Sequence, residues 1–61
     1  MNTQYNCIIV DDEIAAREIL ESHLSKFNNI TICGSCKNAI EAFSVLNNQT
    51  IDLIFLDINM P

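Results

Sequence analysis

Glycine and proline occur once each in 61 residues, and tryptophan is absent. So small a stock of turn and linker residues excludes a low-complexity or disordered segment, which would be rich in them and poor in apolar side chains. Bases are also scarce: three lysines and arginines face eight acids, for a formal charge of −5. Binding to a phosphate backbone needs a basic face to displace counterions, so this balance argues against nucleic-acid contact by this segment. The three cysteines are odd in number, where a small secreted scaffold would more often carry an even set, so reduced thiols are expected. No apolar run is long enough to cross a bilayer, and Met1-Asn2-Thr3-Gln4 lacks the basic start and apolar stretch of a secretion signal. No membrane contact and a cytoplasmic location are expected. What the chain does have is apolar residues, 49% of the total. That is the composition of one small packed unit, although a chain of this size leaves apolar surface uncovered unless something staples or completes it.

Cys7-Ile8-Ile9-Val10 is an unbroken apolar run that stops at Asp11-Asp12-Glu13, the pattern of a strand covered on both faces reaching a polar edge. Ala16, Ile19, Leu20, Leu24 and Phe27 then fall on helical spacing, with Arg17, Glu18, Glu21 and Ser25 on the other side, so residues 14–27 read as an amphipathic helix ended by Asn28-Asn29. Ile30 to Cys33 alternates more weakly and suggests a second strand at a sheet edge. Asn38 with Glu41 three residues on resembles a capping box, and Ala39, Ala42, Phe43 and Leu46 form the inward stripe of a second helix that fades at Asn47-Asn48-Gln49. Ile51 to Leu56, apolar but for Asp52, is a third strand ending on Asp57, and Asp52 is expected to be solvated at its start.

The order β-α-β-α-β calls for an α/β fold with a parallel sheet, right-handed crossovers and helices on its faces. With strand 1 between the other two, in the order 2-1-3, the connections diverge and open a crevice at the carboxyl ends of strands 1 and 3. Asp11, Asp12 and Asp57 all lie at those ends. Carboxylates gathered there repel one another, and a cation is the natural remedy. Mg2+ suits best: it is hard, prefers oxygen, keeps several waters and commonly uses one or two carboxylates together with a phosphate oxygen. With the metal held by Asp12 and Asp57, the free oxygen of Asp57 can attack phosphorus in line, giving an acyl phosphate, while Asp11 holds metal-bound water.

Ile8-Ile9-Val10-Asp11-Asp12-Glu13 and Leu53-Ile54-Phe55-Leu56-Asp57-Ile58-Asn59-Met60-Pro61 resemble the two signature strands of two-component receiver domains. The resemblance spans residues 1–61 and implies the N-terminal half of such a domain, a flavodoxin-like, doubly wound sheet whose fourth and fifth strands and last helices would lie outside it. It further implies Asp57 as phospho-acceptor, with Asp11, Asp12, Asp57 and the backbone carbonyl of Asn59 as metal ligands. A sensor histidine kinase is the implied phosphodonor, and a C-terminal DNA-binding output domain, of the LytTR type, the implied effector. In the family a Ser or Thr after the fourth strand and a Lys after the fifth complete the site, and neither can be assigned here. A signalling domain, not a turnover enzyme, is expected.

Blander readings stand beside these. Asp11-Asp12 could simply cap a helix and favour its dipole, and Glu13 belongs at the helix entrance. Cys33-Gly34-Ser35-Cys36, between a strand and a helix, has the setting of a thioredoxin-like redox pair, although no preceding aromatic supports it. A zinc site would need Cys7 and His23 to leave core and helix positions to join that pair. A haloacid-dehalogenase-like phosphatase also places an Asp after an apolar parallel strand, but needs an acid where this chain has Asn59. A non-catalytic interaction fragment, pairing or self-associating through the open edge of strand 3, is the remaining alternative.

Overall fold

A computed structural model describes residues 3–56. Five elements follow in the order β1 (Tyr5–Val10), α1 (Ile14–Leu24), β2 (Ile30–Cys36), α2 (Ala39–Asn48) and β3 (Leu53–Leu56). The three strands form one parallel sheet ordered β2-β1-β3, as the α/β reading requires. Because β1 lies between its neighbours, the crossover from β1 to β2 and the one from β2 to β3 run in opposite directions across the sheet, and a constant crossover hand then puts α1 and α2 on opposite faces.

The side chains of β1 alternate between these faces. Cys7 and Ile9 pack with Leu24, Leu20, Ile30, Ile32 and Phe55 on the α1 side. Ile8 and Val10 pack with Cys36, Ala42, Val45 and Ile51 on the α2 side. Each half-core is small, so β1, covered by both, is the structural centre of the described residues.

β2 uses seven residues against the six of β1, and the register slips between Cys7 and Ile8, where Ile32 is followed in the ladder by Gly34. The surplus residue, Cys33, makes a bulge that reverses the alternation. Ile30 and Ile32 therefore serve the α1 side, whereas Cys36 serves the α2 side. Gly34 sits where α2 crosses closely: a Cβ there would lie 3.1 Å from Cγ2 of Val45.

Several expectations shift. β2 runs to Cys36 instead of stopping at Cys33, because Gly34, Ser35 and Cys36 pair with Ile8, Ile9 and Val10, and cross-strand pairing overrides their weak strand propensity. α1 ends at Leu24, not residue 27: the amides of Lys26 and Phe27 bond back to His23 and Leu24 in a tightened last turn. Phe27 thus falls beyond the helix and is 54% exposed, and Ile19 lies off the Ala16-Leu20-Leu24 stripe at 61%. On α2 the inward stripe is Ala42, Val45 and Leu46, so Phe43 stands at its flank, 62% exposed, and Ala39 is exposed too. β1 begins at Tyr5, two residues earlier than its apolar run, and β3 at Leu53, with Ile51 still packed beneath α2.

The Asn38 cap of the expected capping box forms, while the return bond from Glu41 reaches one residue further, to Lys37 and not to the Asn38 amide. Asn38 Oδ1 accepts from the Glu41 amide at 2.9 Å, and Glu41 Oε1 accepts from the Lys37 amide at 3.0 Å. The Lys37–Glu41 ion pair at 3.9 Å is exposed and adds little.

Candidate functional site

β1 and β3 run parallel and side by side, Val10 opposite Leu56 on the last shared rung. A cleft of about 200 Å³ opens at that rim, lined by Ile9, Val10, Asp11, Leu20, Phe55 and Leu56. Asp57 follows Leu56 directly in the chain. Asp57 and Asn59 lie outside the described residues, so only Asp11 and Asp12 of the expected ligand set can be placed.

Asp11 is only 9% exposed and is fastened at three points. Its amide extends the ladder by donating to Cys36 O at 3.0 Å. Its carboxylate Oδ1 accepts from the Glu13 amide at 2.9 Å, closing an Asx turn. Its carbonyl accepts from Arg17 Nη1 at 2.6 Å. The second carboxylate oxygen, Oδ2, has no hydrogen-bond partner among the described residues. Asp12, the next residue, is exposed, and among the described residues its carboxylate has neither a hydrogen-bond nor an ion-pair partner.

The capping alternative for this acid pair therefore fails in its simple form. The N-cap of α1 is Glu13, in extended conformation and with no side-chain cap bond, while Asp11 binds the amide of the capping residue itself. Asp12 caps nothing. Glu13 stands at the helix entrance, as expected.

Uncommitted carboxylate oxygens, one on a buried acid and two on its exposed neighbour, are hard donors beside an open cleft, and they suit a divalent cation that retains water. Among the described residues no three of His, Cys, Asp and Glu converge as a metal group. Two acids of the expected set, Asp11 and Asp12, stand at this rim, and the donor chemistry they offer fits magnesium.

The thiols serve structure. Cys33 and Cys36 belong to one continuous strand, not to the junction of a strand and a helix. Three residues of extended chain separate their Cα atoms by roughly 9–10 Å, beyond the reach of a disulfide. All three cysteines are free. Burial pushes the Cys36 thiol up, with Glu41 adding to the rise and Arg17 opposing it. Burial also raises Cys7, reinforced by Cys33. Raised thiols are poor nucleophiles, so the redox-pair reading is withdrawn. Cys7 is fully buried and His23 is exposed on α1, so the zinc set is not assembled either.

Sequence reasoning missed Arg17, which it assigned to the outer side of α1. The side chain turns back to the strand end, half-buried, and holds the carbonyl of Asp11. The available signal was composition: one of only three bases stands within six residues of the Asp11-Asp12-Glu13 cluster.

Asp52 is exposed, as expected, but it also closes the opposite rim: Oδ2 accepts from the Asn6 amide, and its own amide donates to Asn6 O, both at 2.8 Å.

Comparison with known proteins agrees with this architecture. The family model of the response regulator receiver domain matches residues 7–61. An uncharacterised response regulatory protein of Shewanella oneidensis is 51% identical over 55 residues, 90% of this chain and 23% of its own length. The transcriptional regulatory protein BtsR of Escherichia coli is 44% identical over 54 residues, 88% of this chain and again 23% of its own length. A response regulatory protein of Vibrio cholerae is 39% identical over 56 residues. The chain thus spans about a quarter of the length of the curated relatives it matches. No solved structure matches. Among the described residues no helix is long and apolar enough to cross a membrane. With its 2-1-3 parallel sheet and a family match from Cys7 to the last residue, this chain belongs to the response regulator receiver domain family.

Proposed function

We propose that this chain accepts a phosphoryl group on Asp57, as the receiving step of two-component signalling. The observation that supports it best is the rim itself: Asp11 and Asp12 stand with uncommitted oxygens at the end of β1, one rung from the end of β3, which Asp57 follows in sequence. Asp11, Asp12, Asp57 and the backbone carbonyl of Asn59 would hold Mg2+. When bound, the metal would screen the charge of the incoming phosphoryl group.

The chain's own contribution is position. A carboxylate is a weak nucleophile, so the rim must hold it in line instead of raising its basicity. Attack by a carboxylate oxygen of Asp57 on phosphorus forms the acyl phosphate and breaks the bond to the donor's leaving group, which departs with the electron pair. Asp11, fixed by three bonds, sets the floor of the rim, and the apolar wall of Leu20, Phe55 and Leu56 shields one side of it.

Transfer of this kind makes the chain a signalling acceptor and not a turnover enzyme. A sensor histidine kinase is the proposed donor. The relative named as a transcriptional regulatory protein favours a DNA-binding output domain in the full-length protein, here proposed to be of LytTR type. The phosphatase alternative lacks the second acid it needs, since residue 59 is Asn.

The test is incorporation of a phosphoryl group from a small acyl-phosphate donor, read by intact mass and by sensitivity to hydroxylamine. Asp57→Asn is expected to abolish labelling. Undiminished labelling of that variant would remove Asp57 from the reaction.

A further inference from the structure

Asp11 carries four polar groups, and the structure accounts for three. Two of its bonds are local backbone solutions, made to the neighbouring strand and to the turn. The third comes from a long side chain one helical turn into α1, and its target is unexpected on charge alone. Arg17 has Asp11, Asp12 and Glu13 within six residues, yet it donates to a carbonyl oxygen and forms no ion pair with them among the described residues.

That carbonyl belongs to the peptide plane joining Asp11 to Asp12. A peptide unit is rigid, so tying its oxygen to α1 fixes the plane's rotation and with it the direction in which Asp12 leaves the backbone. We propose that Arg17 is a positioning residue for the cation-binding rim: it locks the Asp11–Asp12 peptide so that the exposed carboxylate of Asp12 is held for a divalent cation. The inference rests on the proposed role of Asp12 as a ligand. It adds a residue that touches neither metal nor phosphoryl group.

Charge and position make opposite demands. A guanidinium near the rim repels a divalent cation, so a purely electrostatic role means that its removal tightens binding. A positioning role means that its removal loosens binding, on the scale of about tenfold that supporting residues around a metal commonly contribute.

Arg17→Met keeps the apolar stem and deletes both charge and donor, while Arg17→Lys keeps the charge and a donor. Mg2+ would be titrated into the protein and followed through the amide resonances of Asp12 and Glu13, with hydrogen exchange of the Glu13 amide as a second readout. Expected are about tenfold weaker Mg2+ binding and faster Glu13 exchange in Arg17→Met, with partial recovery in Arg17→Lys. Leu24→Ala, which damages the core beneath the same helix, is expected to lose stability and keep its Mg2+ affinity. Unchanged or tighter binding by Arg17→Met overturns the inference, as does an equal loss in Leu24→Ala. If wild-type protein shows no Mg2+ response at Asp12, the proposed function falls and this inference with it. A wild-type response that Arg17→Met retains in full removes the positioning role alone.

Discussion

The two rims of the sheet each use an aspartate to accept a backbone amide, and they leave it in different states. At the amino-terminal rim Asp52 and Asn6 exchange bonds in both directions, Asn6 Nδ2 adds a bond to Thr50 O at 3.0 Å, and the Tyr5 amide reaches Asn29 O at 2.8 Å. Every partner there is another part of the same fold. At the carboxyl rim Asp11 is half committed and Asp12 is uncommitted among the described residues. The same residue type serves as a structural clasp at one rim and as unused acceptor capacity at the other. Composition cannot tell these uses apart; what decides is whether a neighbouring strand or turn presents an amide.

The contrast can be broken by exchanging the damage. Asp12→Asn is expected to weaken Mg2+ binding by tenfold or more, since a ligand charge is lost, while stability against urea holds or rises as repulsion at the rim is relieved. Asp52→Ala should do the reverse, costing about 1 kcal/mol through the unpaired Asn6 amide and leaving Mg2+ affinity alone. Parallel metal titrations and urea melts check both, and a pair of variants that behave alike would dissolve the distinction. A smaller effect sharpens it at the helix entrances. Asn38→Ala removes a true side-chain cap and is expected to cost about 1 kcal/mol, whereas Glu13→Ala, at an N-cap with no side-chain bond, should be close to neutral in the same melts.

The smallest expected effect concerns the core between the rims. Cys7 and Cys36 are raised above their ordinary value of 9.0, chiefly by burial. In alkali the unfolded chain therefore sheds these protons first. Stability from this source is intact below the ordinary value and declines as pH rises through it toward the raised values. Denaturation midpoints measured on both sides of that value should fall with pH, and less steeply in Cys36→Ala.

Element order and sheet topology were legible because two apolar runs stop abruptly at acids and two amphipathic stretches separate the strands. The extent of β2 was not, since Gly34 and Ser35 carry loop chemistry and only pairing with Ile8 and Ile9 makes them strand. Apolar character also overstated burial at Ile19, Phe27 and Phe43. A helical stripe shows which side chains can face inward, but the sheet beneath decides how wide a stripe finds cover. At the rim, Asp11 and Asp12 were read from their place after a strand, whereas Arg17 was lost because a long basic side chain on a helix defaults to solvent.

The bulge in β2 also bears on how the gene can vary. Six residues of β1 are matched by seven of β2, and Cys33 is the one that no rung of the ladder counts. Removing that codon would leave Ile32 facing Cys7 and Gly34 facing Ile8, with every later pairing in step and the lost packing confined to one half-buried thiol. Removing a residue on either side would force that part of the strand to re-register. Position 33 is thus a place in the sheet where the deletion of one residue can pass through evolution without re-sorting either core.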